Sequence, residues 1–236
     1  MTDFNHHTTV DSQQMGIYAA VPQGEGPFPA VVVIQHAWGV DEFTRTMADR
    51  LAEAGFAAAA PQLYHRLAQE GNGLEMMKQL RDVEVIADVD ATVDWLGGQP
   101  TVDGDRIGII GFCMGGRVSY LMAAANPKIK ASVVYYGGNI QKAWGEDVPT
   151  PFERSGEIHA PILFHFGVDD ANPSPQDMAL YDTELTRLGK VHEFHSYPNA
   201  GHAFMDFTNP DRHREAAARL SWPRTLGFLN RYLEQR

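Results

Sequence analysis

The chain has a single cysteine, Cys113. No intramolecular disulfide can form, which fits a reducing compartment such as the cytoplasm. No apolar run approaches the ~20 residues that a membrane helix needs, and no membrane partner is expected. The polar stretch Met1 to Met15 has no basic segment followed by an apolar one, so no secretory signal is expected there. Positive charge is scarce as well. Nineteen Lys and Arg face thirty Asp and Glu, for a formal charge of −11, which argues against a nucleic-acid footprint or a polybasic membrane surface. Internal repeats, low-complexity tracts and an interdomain linker are all missing. So are C-x-x-C and H-x-x-x-H spacings, and His6-His7 is too short for a metal tract; no metal site is expected.

What is present suits a single globular domain over 1–236, with 44% apolar and 21% charged residues. Apolar, β-branched runs alternate with helical patterns. Strands are expected at Ala30 to Ile34, Phe56 to Ala60, Arg106 to Ile110, Ala131 to Tyr136, Ile162 to Phe166 and Val191 to Tyr197. Helices are expected at Phe43 to Ala54, Glu75 to Leu96, Met114 to Ala125, Pro175 to Leu188 and Pro210 to Leu233, with Pro223 a point where the last could kink or divide. Met15 to Val21 could add antiparallel edge strands. Such alternation predicts an α/β fold, a mostly parallel sheet with helices on both faces. The longest irregular stretch, Gly137 to Ala160, is too short for a lid domain.

Arg106 to Ile110 runs into Gly111-Phe112-Cys113-Met114-Gly115-Gly116, after which a helix begins. G-x-C-x-G between a strand and a helix is the setting of a nucleophile elbow. Glycines flank the turn because a side chain there would strike neighbouring backbone. The central residue is forced to the tip, near a helix N-terminus whose partial charge favours a thiolate. A lone cysteine is more often an inert core residue; the strand before and the helix after make Cys113 a candidate nucleophile.

A nucleophilic thiol needs a base. Of ten histidines, His202 lies in a turn-rich segment directly after the Val191 to Tyr197 strand, and loops at the carboxyl ends of parallel strands share one sheet edge. His165, His192 and His195 fall within or beside strands and read as structural. The orienting carboxylate should follow the preceding strand, where Asp169 and Asp170 both stand; order along the chain does not separate them. An oxyanion needs aimed amides. Met114 N–H is one candidate. Ala37, in the loop after the Ala30 to Ile34 strand, is the other.

Several motifs together resemble the dienelactone hydrolase family of α/β-hydrolases: Gln35-x-x-Trp38-Gly39-Val40, Gly55-Phe56, Pro61-Gln62-Leu63-Tyr64, Gly111 to Gly116, Tyr135-Tyr136-Gly137, Phe164-His165-x-Gly167-x-x-Asp170 and Gly201-His202-Ala203-Phe204. The resemblance extends from about Pro29 to Leu229. It implies an α/β-hydrolase fold, no cofactor and a Cys-His-Asp triad carried by Cys113, His202 and Asp170. Two positions depart from the dienelactone-cleaving members. His36 replaces the acidic residue after the glutamine, and Asp206 stands where an arginine would hold the substrate carboxylate.

These readings converge on hydrolysis of a small ester or lactone through an acyl-enzyme, with dienelactone itself expected to be a poor substrate. His36, Trp38, Tyr64, Tyr136 and Phe204 are the candidate pocket residues. The expected partner is a small molecule, and the chain length is compatible with a monomer or small homo-oligomer. A ligand-binding or sensing protein on a hydrolase scaffold is the other reading.

Overall fold

The computed structural model describes residues 4–67 and 71–234. Eight strands form one sheet: β1 His6–Val10, β2 Gln13–Ala20, β3 Phe28–Ile34, β4 Ala57–Pro61, β5 Val102–Phe112, β6 Ile129–Tyr135, β7 Ile162–Gly167 and β8 His192–Tyr197. Their order is β1-β2-β4-β3-β5-β6-β7-β8. β4, β3 and β5 to β8 run parallel, whereas β1 and β2 are antiparallel additions at one edge. The expected edge strand after Met15 is therefore present. No described helix is long and apolar enough to cross a membrane.

β3 and β4 are apolar at every position, because both faces of the sheet centre are covered. Along β3, Ala30, Val32 and Ile34 point into one core and Val31 and Val33 into the other. The first core is closed by α3 Asp82–Gly97, α4 Met114–Ala125 and α5 Pro175–Arg187. The second is closed by α1 Glu42–Glu53 and α6 Glu215–Leu233. The chain winds from β3 through α1 to β4, then crosses back to lay β5 on the other side of β3. Between β3 and β5 the loops diverge, and a crevice opens beyond the carboxyl ends of these strands.

Two helix expectations are corrected. The pattern read as one helix from Glu75 to Leu96 is two elements, α2 Gly73–Met77 and α3, separated at Lys78 to Arg81. The break has a tertiary cause. Gly73 sits so close to the loop after β3 that a Cβ there would lie 2.0 Å from the Ala37 carbonyl oxygen, while α3 must pack on the sheet; one straight rod cannot do both. The last helix begins at Glu215 rather than Pro210, and the turns before it fold over the sheet edge. It runs through Pro223 without dividing.

A buried ion pair fixes the loop after β6. Arg117 on α4 bonds Asp82 through both terminal nitrogens, at 2.6 and 2.9 Å, with both side chains almost wholly enclosed. Its guanidinium also reaches the carbonyls of Asn139 and Lys142 and lies 3.8 Å from the centroid of the Trp144 ring. Asp82 in turn accepts from Trp144 N–H at 2.8 Å. Such a pair is weak evidence for net stability, but removing one partner strands a buried charge, at a cost of about 3–5 kcal/mol. We expect Asp82→Ala to lower unfolding stability by about that amount in a urea titration, with the Trp144 fluorescence environment disturbed. A loss under 1 kcal/mol would show that Arg117 escapes to water.

Candidate active site

Strand β5 delivers Cys113 to a bend with φ 57° and ψ −117°. A non-glycine residue holds such a backbone only when its surroundings impose it. Here the glycines leave no alternative. A Cβ on Gly111 would lie 1.9 Å from the Gly115 carbonyl oxygen, one on Gly115 2.4 Å from that of Ile34, and one on Gly116 2.7 Å from that of Tyr135. The helix end is thereby drawn against β3 and β6, and the half-buried thiol is pushed out at the tip.

His202 and Asp170 come from the turns after β8 and β7. Those turns interlock, because Gly167 lets the Ala200 carbonyl within 2.1 Å of where a Cβ would be, and Asp169 N–H donates to that same carbonyl at 2.9 Å. Asp170 is buried and accepts from His202 Nδ1 at 2.8 Å; its other oxygen accepts from Asn172 N–H at 2.8 Å. Asp169 faces solvent. The neighbouring pair that sequence order left open is thus separated by geometry. With Nδ1 engaged by Asp170, Nε2 is the ring nitrogen left for Cys113 on the same cavity wall. Burial opposes a charge on this imidazole. The hydrogen bonds to Asp170 and Cys113 and the attraction of their negative charges outweigh it, and His202 is pushed up to about 10.

Cys113, His202 and Asp170 open onto one cavity of about 440 Å³, within the range of small-molecule sites. Met114 and Ala37 are on its wall. Met114 opens α4, where an amide has no partner in its own helix. The Ala37 peptide is held from behind by Tyr64, whose hydroxyl donates to the Ala37 carbonyl at 2.9 Å.

The five expected pocket residues divide. His36 and Trp38 line the cavity. His36 is buried, its Nε2 is 2.8 Å from Asp41, and Asp41 also caps α1 by accepting from Thr44 N–H at 3.1 Å. Tyr64, Tyr136 and Phe204 are corrected: all three are buried behind the wall rather than on it. Aromatic packing claims Tyr136 and Phe204, and Tyr64 is held by its hydroxyl on the Ala37 carbonyl. The Tyr136 ring lies 5.2 Å from those of His202 and Phe204, and so backs the imidazole. Sequence reasoning missed Leu74 and Met77 on α2, Trp144, Asn209 and Arg212, which also line the cavity. No motif marks them; they sit on a short helix and on turns whose placement is purely tertiary. Asp206 is on the wall too, with Oδ1 accepting from Thr208 N–H and Oγ1.

Comparison with known proteins agrees with this geometry. The profile described as the dienelactone hydrolase family matches residues 15–233. An Escherichia coli K12 protein named as a carboxymethylenebutenolidase is 34% identical over 239 residues, covering 95% of this chain and 86% of its own. A Bradyrhizobium protein named as a 2-oxo-3-(5-oxofuran-2-ylidene)propanoate lactonase is 33% identical, covering 92% and 89%. The crystal structure of a Klebsiella pneumoniae protein titled as a dienelactone hydrolase superimposes with a TM-score of 0.85 at 33% identity, covering 96% of this chain and 98% of that one. The match runs over nearly the whole chain in both sequence and structure: this chain belongs to the dienelactone hydrolase family.

Proposed function

We propose that the chain hydrolyses a small carboxylic ester or lactone by attack of Cys113, with His202 carrying the proton and Asp170 orienting it. The observation that supports this best is the convergence of a half-buried, backbone-strained thiol and an Asp-oriented imidazole in one cavity. The Cys113 sulfur adds to the carbonyl carbon, and the oxyanion is received by the amides of Met114 and Ala37. His202 then gives its Nε2 proton to the departing oxygen as the carbon–oxygen bond breaks, leaving a thioester. His202, now neutral, takes a proton from water, which attacks the thioester; the thiolate departs and the acid is released. A lactone releases one hydroxy acid rather than two products.

The test is mass spectrometry with a reactive ester. A transient acyl adduct on Cys113 should form in the wild type, persist in His202→Ala and be missing in Cys113→Ala. Equal ligand binding by all three, with neither adduct nor turnover, would instead establish a sensor.

The raised pKa of His202 sets the pH profile. Its proton is kept through neutral pH and lost as pH rises through about 10, so kcat/KM should fall on the alkaline side near that value. Asp170→Asn removes a hydrogen bond that favours the charged ring, and should move that limb to lower pH. The same shift stabilises the fold fully below about 6.5, the ordinary value, and that contribution fades through about 10. An unmoved limb in Asp170→Asn would assign the ionisation elsewhere.

Asp206 puts a carboxylate on the wall, and His36 is tied to Asp41. We expect dienelactone, an anion, to be turned over poorly beside uncharged esters. A side-by-side assay with efficient dienelactone turnover and little activity on uncharged esters would reverse this.

A further inference from the structure

The lining of the cavity is of two kinds. Trp38, Leu74, Met77 and Trp144 give it apolar surface, and Asn139, Asn172, Asp206, Asn209 and Arg212 give it polar surface, with Cys113 on the same wall. Of the apolar residues, Trp38 is 55% and Leu74 48% exposed. These side chains come from three separate segments that the fold draws together. α2 is seated on the turn after β3, where a Cβ at Gly73 would lie 2.9 Å from Trp38 Cε3. Trp144 is held in place by Arg117 and Asp82. The apolar shelf is therefore built into the structure rather than being one stray surface side chain, and it lines the same cavity as Cys113 and Met114.

Charge on the wall offsets itself. Asp170 is paired with His202, and Arg117 with Asp82. That leaves one carboxylate, Asp206, against one guanidinium, Arg212, which forms no ion pair with a described residue. Asp206 is buried in the wall, whereas Arg212 is exposed at the rim. Asp206 forms no ion pair with a described residue, so its carboxylate repels an anionic substituent placed beside it. Apolar surface left in water at a cavity mouth is relieved when an apolar group covers it.

We propose that the Trp38–Leu74–Met77–Trp144 shelf is a subsite for an apolar substituent, and that the substrate is an uncharged ester or lactone bearing an aryl or branched alkyl group. This rests on the hydrolase reading above and names the substrate class for the same site. The size of the cavity agrees, since 440 Å³ leaves room beyond the reacting ester itself.

The test uses benzyl butanoate, methyl butanoate and monobenzyl succinate. Benzyl and methyl alcohols are similar leaving groups, so the benzyl-to-methyl ratio of kcat/KM reads the shelf rather than intrinsic reactivity. The wild type should favour benzyl butanoate over methyl butanoate by about tenfold or more, and over monobenzyl succinate as well. Trp38→Ala and Leu74→Ala should each collapse the benzyl-to-methyl ratio by at least about threefold. A wild-type ratio near one, a ratio unmoved by both substitutions, or a preference for the succinate would overturn the proposal. Binding of 4-phenyl-2-butanone to Cys113→Ala, followed by tryptophan fluorescence, reads the shelf without chemistry. If no ester is cleaved faster by the wild type than by Cys113→Ala, the hydrolase reading fails. Ketone binding weakened by Leu74→Ala then still supports the shelf, and undetectable binding overturns it.

Discussion

The backbone of Cys113 is the constraint on which the site depends. A cysteine at φ 57° costs about 1–3 kcal/mol against a relaxed backbone, and it stays there because three glycines bring α4 into contact with β3 and β6. Relaxing the bend would require the helix to withdraw from the sheet, uncovering Val118 and Met122 in the core. Packing thus holds the strain, and the strain presents the thiol. The same contact sets the first residue of α4 next to the thiol, so the proposed nucleophile and its proposed oxyanion donor are both fixed by one packing arrangement.

The sheet supplies the partners. Parallel strands end on a common edge, so the turns after β3, β5, β7 and β8 gather Ala37, Cys113, Asp170 and His202 from across more than half of the chain. Three of the four are braced from behind. Tyr64 holds the Ala37 peptide, Asn172 N–H holds the free oxygen of Asp170, and the Tyr136 ring backs His202. Tyr64 and Tyr136 are themselves buried, which keeps Ala37 and His202 in place.

The cavity wall is where the proposed substrate preference would be set. One carboxylate, Asp206, and one guanidinium, Arg212, share it with the apolar side chains of Trp38, Leu74, Met77 and Trp144. His36, which stands where the dienelactone-cleaving members carry an acid, is locked to Asp41 at the start of α1, so its second ring nitrogen is the one left for the cavity. The candidate catalytic residues come from strand ends, whereas most of the remaining wall comes from turns and a five-residue helix.

Much of this was legible in the sequence. The strand before Gly111 and the helix after Cys113 specified the elbow, because only glycine permits those backbone approaches; apolar runs without alternation specified a sheet covered on both faces. Periodicity also located α4 to its observed ends. What local pattern could not decide was anything set by contact between distant segments. Asp169 and Asp170 are chemically identical, and only the close approach of the turns at Gly167 and Ala200 turns one inward and the other to water. Tyr136 and Phe204 carry the same hydrophobic signal whether they line a cavity or fill a core, and only packing against His202 and Tyr135 buries them. The break between α2 and α3 and the rim residues Leu74, Trp144 and Arg212 likewise arise from tertiary contacts, since a residue's neighbours along the chain say nothing about which remote surface it will meet.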